Sequence, residues 1–157
     1  MSKYAAATSV SVEKSKAEIE RILQKYNATQ FAYGWDQQKA MIGFHLQKRT
    51  IRIVLKLPDK QQFARTPAGK RERKPDAILK AWEQACRQSW RALALVIKAK
   101  LEAVESGIAS FEDEFLAYTV LPNRQTAGQW LEPQIDKALK RGRMPKLLPA
   151  GDIDHAG

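Results

Sequence analysis

The sequence is poor in the residues that build metal centres, disulfides and covalent active sites. Its one cysteine, Cys86, excludes an internal disulfide, and with two histidines, His45 and His155, it supplies too few ligands for a Cys/His zinc cluster. No stretch approaches the ~20 apolar residues of a membrane-spanning helix; the longest apolar run is Ala92 to Ile97. The opening MSKYAAATSV has one cation, Lys3, and no apolar core of signal-peptide length, so export is not expected and a cytoplasmic location is.

Catalytic fingerprints are missing as well. Gly69-Lys70 lacks the glycine-rich loop of a phosphate-binding turn, no nucleophile elbow occurs, and neither histidine neighbours a Ser or Cys. The acidic trio Glu112, Asp113 and Glu114 follows a helix cap, where acids ordinarily neutralise the helix dipole. The expectation is a protein with no cofactor, no metal and no enzymatic activity.

What the sequence does have is positive charge, gathered in its middle third. Between Lys48 and Lys100 there are 15 Lys and Arg against 4 acids, a net of +11, while the remainder holds 12 basic and 13 acidic residues. A localised patch of fixed cations is what displacing the counterions of a phosphate backbone requires. With 157 residues, 44% hydrophobic and 28% charged, the rest reads as one soluble globular domain.

Periodicity sets the order of elements. Ile19, Ile22, Leu23 and Tyr26 form the stripe of a helix over 15–26, with Ser15 and Glu18 spaced as a capping box. Alternation then predicts three strands: Phe31, Tyr33 and Trp35; Ile42, Phe44 and Leu46; and Ile51, Ile53, Leu55 and Leu57. Tight turns between them make an antiparallel meander. Residues 58–75 have the Pro, Gly and charge content of an exposed basic loop. A long helix follows Pro75 and stops at Gly107, a short one opens at Ser110, and a last one runs from Thr126 to Gly142.

The fold class expected is therefore α+β, a three-stranded antiparallel meander packed against helices in α-β-β-β-α order and extended by two C-terminal helices. One domain is expected over 1–149, with a flexible tail at 150–157. The first five elements share their order with the double-stranded-RNA-binding fold and with the core of annealing proteins. That likeness is one of topology and carries no residues across.

On the long helix, Lys80, Arg87, Arg91 and Lys98 fall within about 20° of one line, and Leu79, Cys86, Trp90, Leu93, Ile97, Leu101 and Val104 form the core seam. The basic line is expected to face solvent or a ligand, unless Glu83–Arg87 and Lys98–Glu102 pairs neutralise it. Arg52 and Lys56 share the polar face of the third strand, Lys48 and Arg49 occupy the preceding turn, and Lys70, Arg71, Arg73 and Lys74 sit in the loop. These twelve residues are the candidate phosphate contacts. Phe63 in the loop and Trp35 are the candidates for base stacking. The row Phe31, Tyr33, Trp35 has a more ordinary use as the inward face of a strand, and exposure of Trp35 decides toward single strands. Trp82 and Trp90 are assigned to the core.

The stretch AWEQACRQSWRALALVIKAKLEAVESGIASFEDEFLAYTVLP, residues 81–122, with TSVSVEKSKAEIERIL, FAYGWD and GQWLEPQIDKALKRGRMPKLLP, resembles a family of small basic proteins from phage, prophage and bacterial genomes. That family has no established activity, so the resemblance implies a mobile-element setting and no site. Together the readings predict a nucleic-acid-binding protein, DNA favoured over RNA by that setting, with little sequence preference. The alternative is an interaction or inhibitor protein that docks its basic face on an acidic protein. The apolar centre of the long helix also suits pairing with a second copy.

Overall fold

The computed structural model describes residues 8–36, 38–69 and 71–144. Lys70, the boundary at 149 and the tail at 150–157 lie outside the described residues. The elements are α1 (Val12–Lys25), β1 (Gln30–Trp35), β2 (Lys39–Leu46), β3 (Arg49–Lys56), α2 (Pro75–Glu105), α3 (Phe111–Glu114) and α4 (Ala127–Arg141), with 3-10 turns at Lys60–Phe63 and Leu116–Tyr118. The α+β class, the meander and the element order are as expected.

The sheet has the order β1-β2-β3, all antiparallel. Its β2–β3 hairpin closes through Gln47 and Lys48, both at positive φ, 47° and 65°. Two such residues form the primed turn whose twist suits a hairpin, a place usually taken by Asn-Gly. Residues with a β-carbon there hold strain of roughly 1–2 kcal/mol each.

Alternation puts Ala40, Ile42, Phe44, Leu46, Ile51 and Ile53 on one buried face. Against it pack Ile19 and Leu23 of α1, Trp90, Leu93, Ala94, Ile97 and Leu101 of α2, and Phe111 with Phe115. Phe115 meets Phe44 edge-on, with ring centroids 5.9 Å apart at 89°. Each of these large side chains contributes about 1.5–3 kcal/mol through burial.

Three local expectations need correction. Helix α1 begins a turn earlier than the capping-box spacing implies, because the Ser11 hydroxyl accepts from the Lys14 amide. Ser15 is then an interior helical residue, fully buried, with no hydrogen-bond partner for its hydroxyl among the described residues. Leu79 is exposed; the seam of α2 starts only at Ala85. Finally, the apolar centre of α2, expected to suit pairing with a second copy, is taken up by the chain's own core, with Val96 left exposed. On the C-terminal side, α4 packs on the Leu116–Tyr118 turn.

Candidate nucleic-acid interface

The candidate basic residues are spread along the fold. Lys48 and Arg49 lie at the hairpin tip, whereas Lys56 ends β3 at its other end, roughly 25 Å away at the rise of an extended strand. Lys98 lies about 27 Å along α2 from Lys80 at 1.5 Å per residue. What gathers instead is a cluster at the end of the sheet where β1 and β3 stop and β2 starts.

There the register sets Lys39 directly opposite Lys56. Both are exposed on the face away from the helices, and neither is in an ion pair among the described residues. Like charges opposite each other across strands destabilise a sheet by a few tenths of a kcal/mol up to about 1. Lys39 escaped sequence reasoning because it precedes the segment where charge is dense; only the strand register reveals it.

From Lys56 the chain runs through Pro58 into the basic loop, which is more ordered than its composition implies. Arg65 bridges Glu72, Thr66 donates to the Arg71 carbonyl and Arg73 to the Ala64 carbonyl, so the loop closes on itself. Its first turn packs against α2. Within it the Arg73 guanidinium donates to the Phe63 carbonyl at 3.3 Å and Phe63 is half-buried. Arg71 and Lys74 are exposed, with side chains in no ion pair or hydrogen bond among the described residues.

The arginines expected to meet phosphate are largely committed to the fold. Arg52 donates to the Arg124 carbonyl at 2.7 Å and to Gln129 at 3.2 Å. It is drawn there because the segment before α4 crosses the edge of β3, with Val120 donating to the Thr50 carbonyl. Arg91 pairs with Glu18 of α1, and Arg87 donates to Gln84. The expected pairs Glu83–Arg87 and Lys98–Glu102 do not form among the described residues. The middle of the α2 basic line thus faces α1, and only Lys80 and Lys98 are exposed.

The aromatic residues depart from expectation in the other direction. By register Phe31, Tyr33 and Trp35 share the helix-side face with Phe44, Ile42 and Ala40. Exposure nevertheless rises along the strand, from half-buried Phe31 to Tyr33 at 51% and Trp35 at 73%. β1 is an edge strand, and the helices cover it only at its start. Trp90 is core as expected, whereas Trp82 is half-buried and donates its indole N–H to the Pro58 carbonyl at 2.7 Å.

Trp35, Leu57 and Trp82 are shared by two adjoining cavities of about 490 and 620 Å³. The first reaches between the start of α1 and α2, to Lys16, Cys86, Arg87 and Trp90. The second opens toward Asp36, Asp59 and Lys60. The Lys60 ammonium lies 4.5 Å from the Trp82 ring and that of Lys16 4.9 Å from Trp90. Asp36 accepts from the amides of Gln38 and Lys39, both at 2.8 Å, which holds its carboxyl below the usual range. Burial, with Glu83 beside it, pushes the Cys86 thiol up.

No family model, curated protein or solved structure matches this chain. No helix among the described residues is long and apolar enough to cross a membrane. Among those residues no group of His, Cys, Asp and Glu is placed to hold a metal ion.

Proposed function

We propose that this chain is a non-enzymatic nucleic-acid-binding protein that grips the phosphate backbone of single strands with little sequence preference. The observation that carries the reading is the end of the sheet, where Lys39 and Lys56 stand opposite each other on one face, in no ion pair among the described residues, and a tryptophan that is 73% exposed stands on the other face. A like-charge pair and an uncovered indole both cost stability, and a strand that passes around the end of the sheet offsets both, its phosphates neutralising the ammonium groups on one face and its bases stacking on the ring on the other. Arg71, Lys74 and Lys80 are further candidate phosphate contacts, exposed and in no ion pair among the described residues. DNA is favoured over RNA by the phage-type setting that the resemblance implies.

Fluorescence anisotropy of labelled single- and double-stranded DNA, and of matching RNA, tests the reading at low and near-physiological salt. Single-stranded DNA is expected to bind most tightly, with affinity falling steeply as salt rises. No binding of any of them at low salt, together with a one-to-one complex with an acidic protein, would replace the reading by a protein-docking one.

A further inference from the structure

The cleft beneath Trp35 differs in chemistry from the cations around it. Its volume lies in the range of small-molecule sites, about 300–1,000 Å³. Its walls are indoles and aliphatic carbons from four separate segments of the chain. Trp35 makes no ring, cation or hydrogen-bond contact among the described residues. Trp82 is held by its indole N–H, which fixes the ring, and the Lys60 ammonium lies 4.5 Å from the ring centre.

The charges along the walls are mixed. Lys16, Lys60 and Arg87 are accompanied by Glu13, Glu83, Asp36 and Asp59. Asp36 and Asp59 are tied to backbone amides at turn and helix starts. Glu13 lies in the first turn of α1, where its charge meets the helix dipole, and Glu83 is exposed on α2. A bare polyanion fits such walls badly. A nucleobase fits them: it offers a flat face to the indoles, N–H donors to carboxylates and lone pairs to ammonium and guanidinium groups.

Resting on the nucleic-acid reading, we propose that the cleft takes one unpaired nucleobase, stacked on Trp35 and bordered by Trp82, while its phosphate stays outside near Lys60. The shared chemistry is a base bearing a phosphate, and it can arrive as a free nucleotide or as part of a strand.

Quenching of intrinsic tryptophan fluorescence tests this, with deoxyadenosine monophosphate, a short oligodeoxyadenylate and the same oligomer with abasic positions as probes. The proteins are the full chain, Trp35→Ala and Trp35→Phe; the exposure of Trp35 allows both variants to fold, and their Tm values check it. Trp35→Ala is expected to weaken oligomer binding by roughly five- to a hundred-fold, the worth of one stacked base, with the salt slope unchanged. Trp35→Phe is expected to recover most of the loss, and the abasic oligomer to bind the full chain as poorly as the intact one binds Trp35→Ala. Equal affinity of the full chain and Trp35→Ala for the oligomer, with abasic and intact oligomers alike, overturns the cleft while leaving the backbone reading standing. Quenching by the mononucleotide that Trp35→Ala abolishes, with no oligomer binding at low salt, supports the cleft and overturns the backbone reading.

Discussion

The two faces at the open end of the sheet differ in their chemistry. On the face away from the helices, Lys39 and Lys56 stand in water, opposite each other. On the helix side, a cleft of indoles and aliphatic carbons carries charges of both signs. In the proposed reading the first binds through charge and responds to salt, whereas the second binds through stacking and responds to it less. A similar division runs through the basic residues, with exceptions such as exposed Arg71 and ion-paired Lys100. Arg52, Arg73, Arg87 and Arg91 are engaged by the fold, whereas Lys39, Lys56, Lys74, Lys80 and Lys98 are exposed. A planar guanidinium with several donors serves carbonyls and carboxylates within a protein, while an ammonium remains a hydrated point charge. Positive charge in a sequence is thus not equivalent to positive charge on a surface.

The largest expected effect abolishes both faces together. Phe115→Ala removes a fully buried ring from against Phe44 and Phe111. It is expected to cost about 3–5 kcal/mol in denaturant unfolding, since a large cavity opens in the core. Next is the charge reversal Arg71→Glu, Lys74→Glu, Lys80→Glu, which should weaken single-strand binding on the order of a hundred-fold at low salt. Its Tm should stay nearly constant, because these side chains are exposed, and acids are welcome at the start of α2.

A smaller effect, confined to stability, is expected at the far end of the hairpin. Gln47→Asn with Lys48→Gly relieves the positive-φ strain and should add about 1–2 kcal/mol to unfolding. Binding should be unchanged, because Lys48 is remote from the open end; a loss of affinity would bring the hairpin tip back into the interface. Lys39→Glu sharpens the comparison further, since it replaces a repulsive cross-strand pair by an attractive one. Thermal melts should show a gain of a few tenths of a kcal/mol up to about 1, while anisotropy shows weaker binding. A residue serving the fold alone would not move the two in opposite directions.

The smallest effect is one of pH. With its thiol pushed up chiefly by burial, Cys86 holds its proton in the folded chain past the range in which the unfolded chain loses it. The associated stability is fully present below the ordinary thiol range and is lost as pH rises through and beyond it. Tm should therefore decline at alkaline pH less steeply in Cys86→Ala, and a thiol reagent should react slowly at neutral pH.

Local signals carried much of the fold. Gly142 ends α4 in the left-handed conformation where the sequence places its stop, and Thr126 opens it with a reciprocal cap on Gln129. Alternation found the meander because β2 and β3 each have one buried face and β1 repeats the apolar alternation, although its own residues stay half-buried or exposed. α1 was misplaced by a turn because SVSVEKSKAE offers more than one serine suited to start a helix, and burial rather than spacing selects Ser11.

The site was less legible. Whether a cation is free depends on partners such as Glu18 and Gln129, 73 and 77 positions away in sequence. Trp82 falls near the apolar side of α2 and so reads as core. It instead lines a cleft, because the sheet ends beneath it. Lys39 and Lys56 became a pair only through strand register.

The most direct test of the account is the salt dependence of single-stranded DNA binding, measured by anisotropy for the full chain and for the Arg71, Lys74, Lys80 reversal. The expected result is a linear fall of log affinity with log salt for the full chain, and a slope shallower by about 2 for the variant, some 0.7 for each phosphate no longer neutralised. Identical slopes, or no binding by the full chain at low salt, would contradict it.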